Sequence, residues 1–216
     1  MPWPCVLLDL DGTLTDPGEG ITRSLVAALR SRGQPAPPPA ALGWAVGPPL
    51  RTTFARLVPG ADAAELAALV AAYRARYLAV GMYENRVYPG VADLLADCVA
   101  AGCRLGLATG KMGRSARAIL RHFGLARHFS AVAGSYSDGR RTDKAGLIRH
   151  ALHLLGGTGS PAAMVGDRAP DVLAARVCGL YAVGVAWGYA QPGELAEARP
   201  DALCADVPAL RRVLLT

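Results

Sequence analysis

Apolar and polar positions along most of the chain are arranged as short strands followed by helices. Five apolar runs predict buried strands, most of them followed by turn residues: 5–8, 105–108, 131–133, 162–165 and 181–185. Strands that alternate with helices along a sequence build parallel sheets with helices on their faces. The pattern therefore predicts an α/β core.

The helices between these strands are predicted by the spacing of apolar residues. In residues 114–123, apolar side chains recur at positions i, i+3, i+4 and i+7, which form one face of a helix, and arginines lie off that face. Comparable patterns predict further helices at 91–101, 143–155, 171–178 and 207–214.

Residues 17–85 interrupt this alternation. Three Ala- and Leu-rich helical stretches follow one another there, and no strand pattern lies between them. We therefore predict a helical cap at 17–85 that is inserted into a core formed by 1–16 and 86–216. The first cap helix has a start signal, with Asp16 as N-cap and Pro17 at the first helical position.

The composition is that of a folded protein. Hydrophobic residues make up 52% of the chain and charged residues 19%, which is too apolar for a disordered chain. No apolar run is long enough for a membrane span, and the N-terminus lacks the features of a signal peptide. The five scattered cysteines predict buried free thiols. We expect a cytoplasmic protein with no membrane partner.

The formal net charge of +6 raises the question of a nucleic-acid partner. The basic residues, however, are almost all arginines that are spread along the chain, and no basic run alternates with aromatic residues. We therefore expect a small anionic molecule as the partner and no nucleic acid. The oligomeric state stays open.

Two aspartates directly follow the first predicted strand. Asp9 and Asp11 open the string DLDGTLTD, and ligands of open α/β sheets bind beyond the carboxyl ends of the strands. Residues i and i+2 share one face of a continuing strand, so both carboxylates can meet at one site, where they need a cation or a shared proton. The alternative is a solvated acidic turn. The strand before the pair and the Gly-Thr after it favour function.

A second acidic pair follows the predicted strand at 162–165. Asp167 comes at the end of this strand in the string GDRAPD, and Asp171 lies one helical turn further on. Carboxylates in this arrangement are suitable oxygen ligands for Mg²⁺. Alternatively, Asp171 only caps the helix that follows. Together with the first acidic pair, the second pair favours a metal site.

These strings occur together in one superfamily. Over essentially its whole length, the chain resembles the haloacid dehalogenase superfamily, in the phosphatase branch that has a small helical cap. The resemblance rests on four motifs in the family's order: DLDGTLTD at 9–16, LATGK at 107–111, a single lysine at Lys144 and GDRAPD at 166–171. It implies a Rossmann-like parallel sheet core with the cap inserted after the first motif.

The resemblance also implies a mechanism. Asp9 would attack phosphorus to form a phospho-aspartyl intermediate, and Asp11 would protonate the leaving alcohol and later activate water. Mg²⁺ would bind Asp9, the backbone carbonyl of Asp11 and Asp167, with Asp171 bound directly or through water. The cation is needed because an anionic phosphoryl group repels an attacking carboxylate.

Four further residues belong to the implied site. Thr109 and the amide of Gly110, where the family commonly has Asn, would hold phosphoryl oxygens, and Lys144 would neutralise their charge. Otherwise, Thr109 would be a helix N-cap and Lys144 a surface lysine. The chain has only two lysines against twenty-one arginines, which favours function at Lys144 and makes Lys111 a candidate substrate contact.

Residue types separate the reactions of the superfamily. Its dehalogenases need no metal and lack the second aspartate, and its phosphonatases use a cap lysine that residues 17–85 do not contain. The sequence therefore predicts a phosphatase, most similar to phosphoglycolate phosphatases and their 5′-nucleotidase-like relatives. Activity on nucleoside monophosphates is the first alternative, followed by a sugar phosphomutase and a non-catalytic sensor of a phosphorylated metabolite.

The predicted cap would select the substrate. It holds seven arginines and four acidic residues, a formal balance of +3 that suits a substrate with a second anionic group. Gly47 and Arg51 are candidate substrate contacts, because Gly47 lets backbone amides approach a ligand and Arg51 can bind a carboxylate or phosphate. Four aromatic residues either stack on a nucleobase or fill the cap core: Trp44, Tyr73, Tyr77 and Tyr83.

Overall fold

The computed structural model describes residues 3–136, 143–157 and 161–216. The chain divides into two compact units. The first consists of Met1–Asp16 and Val87–Thr216, and the second of Pro17–Arg86. The large sheet belongs to the first unit, whereas helices make up most of the second.

The elements alternate along the chain as follows. Within the described residues, the strands are β1 (Cys5–Leu8), β2 (Thr15–Asp16), β3 (Arg86–Val87), β4 (Arg104–Met112), β5 (Phe129–Ser135), β6 (Ala162–Gly166), β7 (Tyr181–Val185) and β8 (Ala202–Cys204). The α-helices are α1 (Gly18–Ser31), α2 (Leu50–Leu57), α3 (Ala63–Arg76), α4 (Val91–Ala100), α5 (Gly113–His122), α6 (Lys144–Leu154), α7 (Ala169–Val177), α8 (Glu194–Ala198) and α9 (Val207–Leu215).

Six strands form one parallel sheet in the order β5-β4-β1-β6-β7-β8. The central strand β1 is buried at all four positions, as expected for a parallel sheet with helices on both faces. The predicted fold class, a Rossmann-like α/β core, is confirmed. The apolar pattern does not predict β8 or α8, since three and five residues are too few to show a period.

The core fixes the two helices that approach the strand ends. Leu7 of β1, Ile148 of α6 and Val172 of α7 are at most 1% exposed and belong to one apolar cluster. Truncating a leucine in such a core to alanine typically costs about 2–5 kcal/mol. Because this cluster holds α6 and α7, the first residues of both helices have fixed positions at the edge of the sheet.

The second unit has its own aromatic core. The rings of Tyr73 and Tyr77 are buried and stacked, with centroids 5.4 Å apart and an interplanar angle of 9°. Phe54 meets Tyr73 edge-on at 6.4 Å. The guanidinium of Arg56 lies 3.9 Å from the ring centroid of Trp44. Tyr73 and Tyr77 therefore fill the core of this unit, and their rings are not presented for a nucleobase.

The predicted N-cap of the first helix in the second unit is wrong. Helix α1 begins at Gly18 with Pro17 as its N-cap, and no side chain caps it. Asp16 belongs to β2, and its carboxylate accepts a hydrogen bond from the Tyr189 hydroxyl. The helix therefore begins one residue later than the capping pattern predicts, and the Asp16 carboxylate binds Tyr189 instead of a helix amide.

Candidate active site

The carboxyl ends of three neighbouring strands bring the predicted motifs together. Strand β1 pairs along its whole length with β4 on one side and with β6 on the other. Asp9 directly follows β1, Asp167 directly follows β6, and Thr109 lies in the last part of β4. This is the edge at which α/β sheets bind ligands.

Three carboxylates meet at this edge. Asp9, Asp167 and Asp171 each place one oxygen within 4.8 Å of the others. Asp167 and Asp171 are only 1% and 3% exposed. Asp171 also accepts a 3.1 Å hydrogen bond from the Arg168 amide, so its predicted capping of the helix and its place in the acidic cluster are both realised. Carboxylates this close in a buried site need a cation or a proton.

Lys144 is the cation that the described residues supply to this cluster. Its Nζ lies 2.7 Å from Asp171 Oδ1 and 3.1 Å from Asp9 Oδ1, and its side chain is 11% exposed. Asp143 caps α6 by accepting a hydrogen bond from the Gly146 amide at 2.6 Å, and this fixes the first residue of the helix. The alternative prediction of a surface lysine is therefore wrong.

Burial and charge shift the pKa values of these groups. Burial raises the pKa of Asp167 to about 7, and the charge of Asp9 adds to this rise. Burial also raises the pKa of Asp171, although Lys144 opposes the shift. For Lys144, burial alone would lower the pKa, but the carboxylates of Asp171 and Asp9 outweigh it and raise the pKa above its usual value. Perturbed pKa values of this kind are common at active sites.

Asp11 forms a separate pair with Lys111. Asp11 Oδ2 lies 2.5 Å from Lys111 Nζ. Asp11 Oδ1 is buried and accepts no hydrogen bond from the described residues. Burial raises the pKa of Asp11 although the charge of Lys111 opposes the shift, so its protonated form persists to higher pH than that of an exposed aspartate.

Glycines make room for the acidic cluster. Gly12 has φ +81°, and a Cβ there would lie 2.2 Å from Asp167 Oδ2. A Cβ at Gly166 would lie 2.2 Å from Asp171 Cγ. The next residue of the first motif also takes part, since Thr13 Oγ1 donates a 3.3 Å hydrogen bond to Asp167 Oδ1. The glycines of both acidic motifs are therefore required by the packing of the carboxylates.

Thr109 does not cap a helix, contrary to the alternative prediction. Helix α5 begins at Gly113 with Met112 as N-cap, and no side chain caps it. Thr109 is buried, and its Oγ1 accepts a 3.3 Å hydrogen bond from the Lys111 amide. The Ser135 hydroxyl donates a 2.8 Å hydrogen bond to the carbonyl of Gly110, which ties this segment to β5.

The sequence motifs do not reveal one segment that contacts the site. After β7, the amide of Tyr189 donates a 2.7 Å hydrogen bond to Asp167 Oδ2. The indole Nε1 of Trp187 donates to the carbonyl of Thr13 at 3.1 Å. A Cβ at Gly188 would lie 2.3 Å from Asp167 Cβ. A glycine between two aromatic residues just after a predicted strand is the signal that marks this close approach.

Gly47 and Arg51, the candidate substrate contacts in the predicted cap, belong to the second unit. Gly47 has φ +106°, and Arg51 is an exposed residue in the first turn of α2. Within the described residues, Arg51 has no acidic partner, whereas Arg32 and Arg76 pair with glutamates at 2.7 Å. The role of Gly47 and Arg51 in substrate binding stays a prediction.

Comparison with known proteins identifies the family. Residues 3–179 match the family model described as haloacid dehalogenase-like hydrolase. The chain belongs to this family. The match includes all four motifs on which the resemblance rests, and the predicted relationship is confirmed.

Curated relatives of this haloacid dehalogenase-like hydrolase carry several names. It is 45% identical over 212 residues to a Pseudomonas aeruginosa protein named 5′-nucleotidase, covering 98% of this chain and 96% of that protein. It is 43% identical over 184 residues to a Mycobacterium tuberculosis protein named tyrosine-protein kinase PtkA, and the match covers 85% of this chain and 62% of that protein. It is 31% identical over 220 residues to a Cupriavidus necator protein named phosphoglycolate phosphatase, and the match covers 99% of this chain and 94% of that protein.

A solved structure supports the same relationship. The crystal structure of a Clostridium acetobutylicum protein described as a predicted phosphatase is 36% identical, with a TM-score of 0.91, covering 100% of this chain and 99% of that one. The enzyme class predicted from the sequence, a phosphatase of phosphoric monoesters, is confirmed. Among the described residues, none of the helices combines the length and the apolar character that crossing a bilayer requires.

Proposed function

We propose that this haloacid dehalogenase-like hydrolase is a Mg²⁺-dependent phosphatase that cleaves small anionic phosphate monoesters through a phospho-aspartyl intermediate on Asp9. The observation that carries the proposal is the acidic cluster of Asp9, Asp167 and Asp171 beside Lys144 at the strand ends. Because these carboxylates are buried and close, their charge favours a divalent cation.

The described residues fit Mg²⁺. Carboxylate oxygens are the ligands that this cation prefers, and three of them lie within 4.8 Å of one another. We assign Asp9, Asp167, Asp171 and the backbone carbonyl of Asp11 to the site. When bound, Mg²⁺ would neutralise charge on the phosphoryl group and orient it.

In the first half-reaction, a carboxylate oxygen of Asp9 forms a bond to phosphorus, and the bond between phosphorus and the ester oxygen breaks. Asp11, whose pKa is raised by burial, gives its proton to the leaving alkoxide. Lys144, with Thr109 and the amide of Gly110, stabilises the negative charge on the other phosphoryl oxygens. The products are an alcohol and phosphorylated Asp9.

In the second half-reaction, Asp11 is a carboxylate and takes a proton from water. The water oxygen bonds to phosphorus, the bond between phosphorus and the Asp9 oxygen breaks, and phosphate leaves. Asp9 is a carboxylate again and Asp11 carries the proton, so the enzyme has returned to its starting state. Lys111, which pairs with Asp11, is suited to hold the carboxylate in place or to contact the phosphate.

Residues 17–85 form the cap that selects the substrate in this proposal. Four arginines of this segment have no acidic partner among the described residues and suit a second anionic group: Arg30, Arg51, Arg56 and Arg74. The relative named 5′-nucleotidase, at 45% identity, favours a nucleoside monophosphate. The relative named phosphoglycolate phosphatase, at 31%, favours phosphoglycolate, the smaller molecule. Of the two, phosphoglycolate alone has a second anionic group, its carboxylate, for these arginines to bind.

A substrate panel tests the proposal. Phosphate release is measured from phosphoglycolate, nucleoside monophosphates, sugar phosphates and phosphotyrosine, with Mg²⁺ or with EDTA. We expect Mg²⁺-dependent release that falls about 10⁴-fold or more in Asp9→Asn. The control, Asp93→Asn, makes the same change at an exposed position of α4 and should match wild type. Release that persists in EDTA or in Asp9→Asn contradicts the proposal.

A further inference from the structure

The segment between β7 and α8, residues 186–193, lies against the acidic cluster. We call it the strap. The amide of Tyr189, within the strap, donates a hydrogen bond to Asp167 Oδ2, and the indole of Trp187 donates one to the carbonyl of Thr13. The Tyr189 hydroxyl donates to Asp16. The strap thus connects the turn after β1 with the turn after β6, and both turns carry carboxylates of the proposed site.

Glu194 fastens the far end of this strap. Its Oε1 accepts hydrogen bonds from Arg168 Nε at 2.7 Å and from the Ala169 amide at 2.8 Å. Its Oε2 accepts a 2.8 Å hydrogen bond from the amide of Gln191, within the strap. The Glu194 side chain is 14% exposed and that of Arg168 is 23% exposed. A single carboxylate therefore binds both the strap and the turn after β6.

The protonation of Glu194 suits this role. Burial would raise the pKa of Glu194, but the hydrogen bonds from Arg168, Gln191 and Ala169 outweigh it and hold the pKa below its usual value. Glu194 is therefore a carboxylate at neutral pH. Charge-assisted hydrogen bonds of this length are stronger than neutral ones, so the contact resists displacement.

The turn that Glu194 holds sits between two proposed metal ligands. Arg168 and Ala169 follow Asp167 directly, and the Arg168 amide donates to Asp171 Oδ2 at 3.1 Å. Glu194 is thus linked to Asp167 by two routes: through the turn after β6, which follows Asp167, and through the strap, whose Tyr189 amide binds the Asp167 carboxylate. It acts on Asp171 through the same turn.

We infer that Glu194, with Arg168, is a positioning residue that sets the affinity of the acidic cluster for Mg²⁺. This inference rests on the proposed function, because it takes Asp167 and Asp171 as ligands. Residues that orient metal ligands typically contribute about 10- to 100-fold in metal affinity. A residue that only stabilised α8 would change the melting temperature and leave Mg²⁺ affinity unchanged.

The test compares Glu194→Gln with Glu197→Gln. The glutamine keeps the size of the side chain but presents an amide N–H₂ where a second acceptor is needed. Glu197 lies one turn further along the same short helix and is exposed, which makes it the matched control. Mg²⁺ binding to each full-length protein is measured by calorimetry and by the Mg²⁺ dependence of the melting temperature. Activity is then measured over a Mg²⁺ titration.

We expect the Kd for Mg²⁺ to rise about tenfold or more in Glu194→Gln and to stay at the wild-type value in Glu197→Gln. Activity of Glu194→Gln should recover as Mg²⁺ is raised, which a purely structural defect would not show. An unchanged Kd in folded Glu194→Gln overturns the inference.

Two further arms remove ambiguity. If Glu194→Gln does not fold, Arg168→Gln is measured in its place. This change removes the side-chain partner of Glu194 and keeps the Ala169 amide contact, and a wild-type Kd there overturns the inference as well. If wild type itself neither binds Mg²⁺ nor depends on it, the proposed function has failed and the inference falls with it. Mg²⁺ dependence in wild type together with a wild-type Kd in the variant defeats the inference alone.

Discussion

Charged residues are held in two different ways in the two units of this hydrolase. At the strand ends of the first unit, Lys144 is buried between Asp9 and Asp171, and its protonation is fixed by them. In the second unit, Arg51 is exposed and has no acidic partner among the described residues, and Arg32 pairs with Glu65 at the surface. Buried pairs fix geometry and pKa values, whereas exposed ones contribute little to stability.

The difference separates the roles that each set can have. A reaction that needs aligned groups and shifted pKa values requires the buried arrangement. Exposed arginines can be exchanged without disturbing the fold, so they suit the choice of substrate. We therefore expect substitutions at the strand ends to change kcat and metal response, and substitutions of the exposed arginines to change KM.

Among the substitutions that compare the two units, Lys144→Gln should have the largest effect on activity. It removes the cation that two buried carboxylates share and that would stabilise charge on the phosphoryl group. We expect kcat to fall about 10²- to 10³-fold. The control is Arg149→Gln, which removes an exposed charge from the same helix. Steady-state kinetics at saturating Mg²⁺ measures both variants. A loss of kcat below threefold in Lys144→Gln would contradict the contrast drawn between the two units.

Asp167→Asn should remove the response to Mg²⁺ and stabilise the metal-free protein. Because burial raises the pKa of Asp167 to about 7, the folded protein binds this proton more tightly than the unfolded chain, whose pKa is near 3.8. The ionised carboxylate therefore destabilises the fold increasingly as pH rises from about 4 to 7, and the cost is constant above that. Removing it should stabilise the protein by about 1–4 kcal/mol at pH 8.

The measurement is denaturation in EDTA at pH 5 and pH 8, with Asp93→Asn as the control. The stabilisation by Asp167→Asn should be larger at pH 8 than at pH 5. Equal stability of wild type and Asp167→Asn at both pH values would show that the ionised Asp167 carboxylate does not destabilise the fold. That result would contradict the contrast drawn between the two units.

The smallest effect is expected for Arg51→Gln. A surface arginine that contacts a second anionic group of the substrate contributes to binding alone, so KM should rise about three- to tenfold with kcat unchanged. The control is Arg32→Gln, which removes an exposed arginine that already pairs with Glu65 and should leave KM unchanged. A change in kcat without a change in KM would contradict the assignment of Arg51 to substrate binding.

The meeting of the motif residues at the strand ends is well predicted from the sequence, because few residues of each motif determine it. Asp9, Asp167 and Lys144 each come at the start or end of a predicted element, and adjacent parallel strands must bring such positions together. The order of the four motifs along the chain indicates the superfamily. The same reasoning gives the α/β core.

The strap and Glu194 could not be predicted in this way. The contact of the strap with Asp167 and the contact of Glu194 with Ala169 both run through backbone amides, which leave no motif in the sequence. Helix α8 is too short for a periodic pattern. Similarly, the N-cap prediction at Asp16 fails because a tertiary partner, Tyr189, takes its carboxylate. Local patterns do not report contacts between residues that are far apart in sequence.

The most direct test of the central claim uses Asp11→Asn and 4-nitrophenyl phosphate. This substrate has a leaving group that needs no proton, so phosphorylation of Asp9 should proceed while the loss of the base stops hydrolysis. We predict a burst of about one nitrophenolate per active site, followed by a stall. Borohydride reduction and peptide mass spectrometry should then find homoserine at position 9. A burst with modification at another residue, or neither burst nor modified Asp9 while wild type turns over the substrate, would contradict the account.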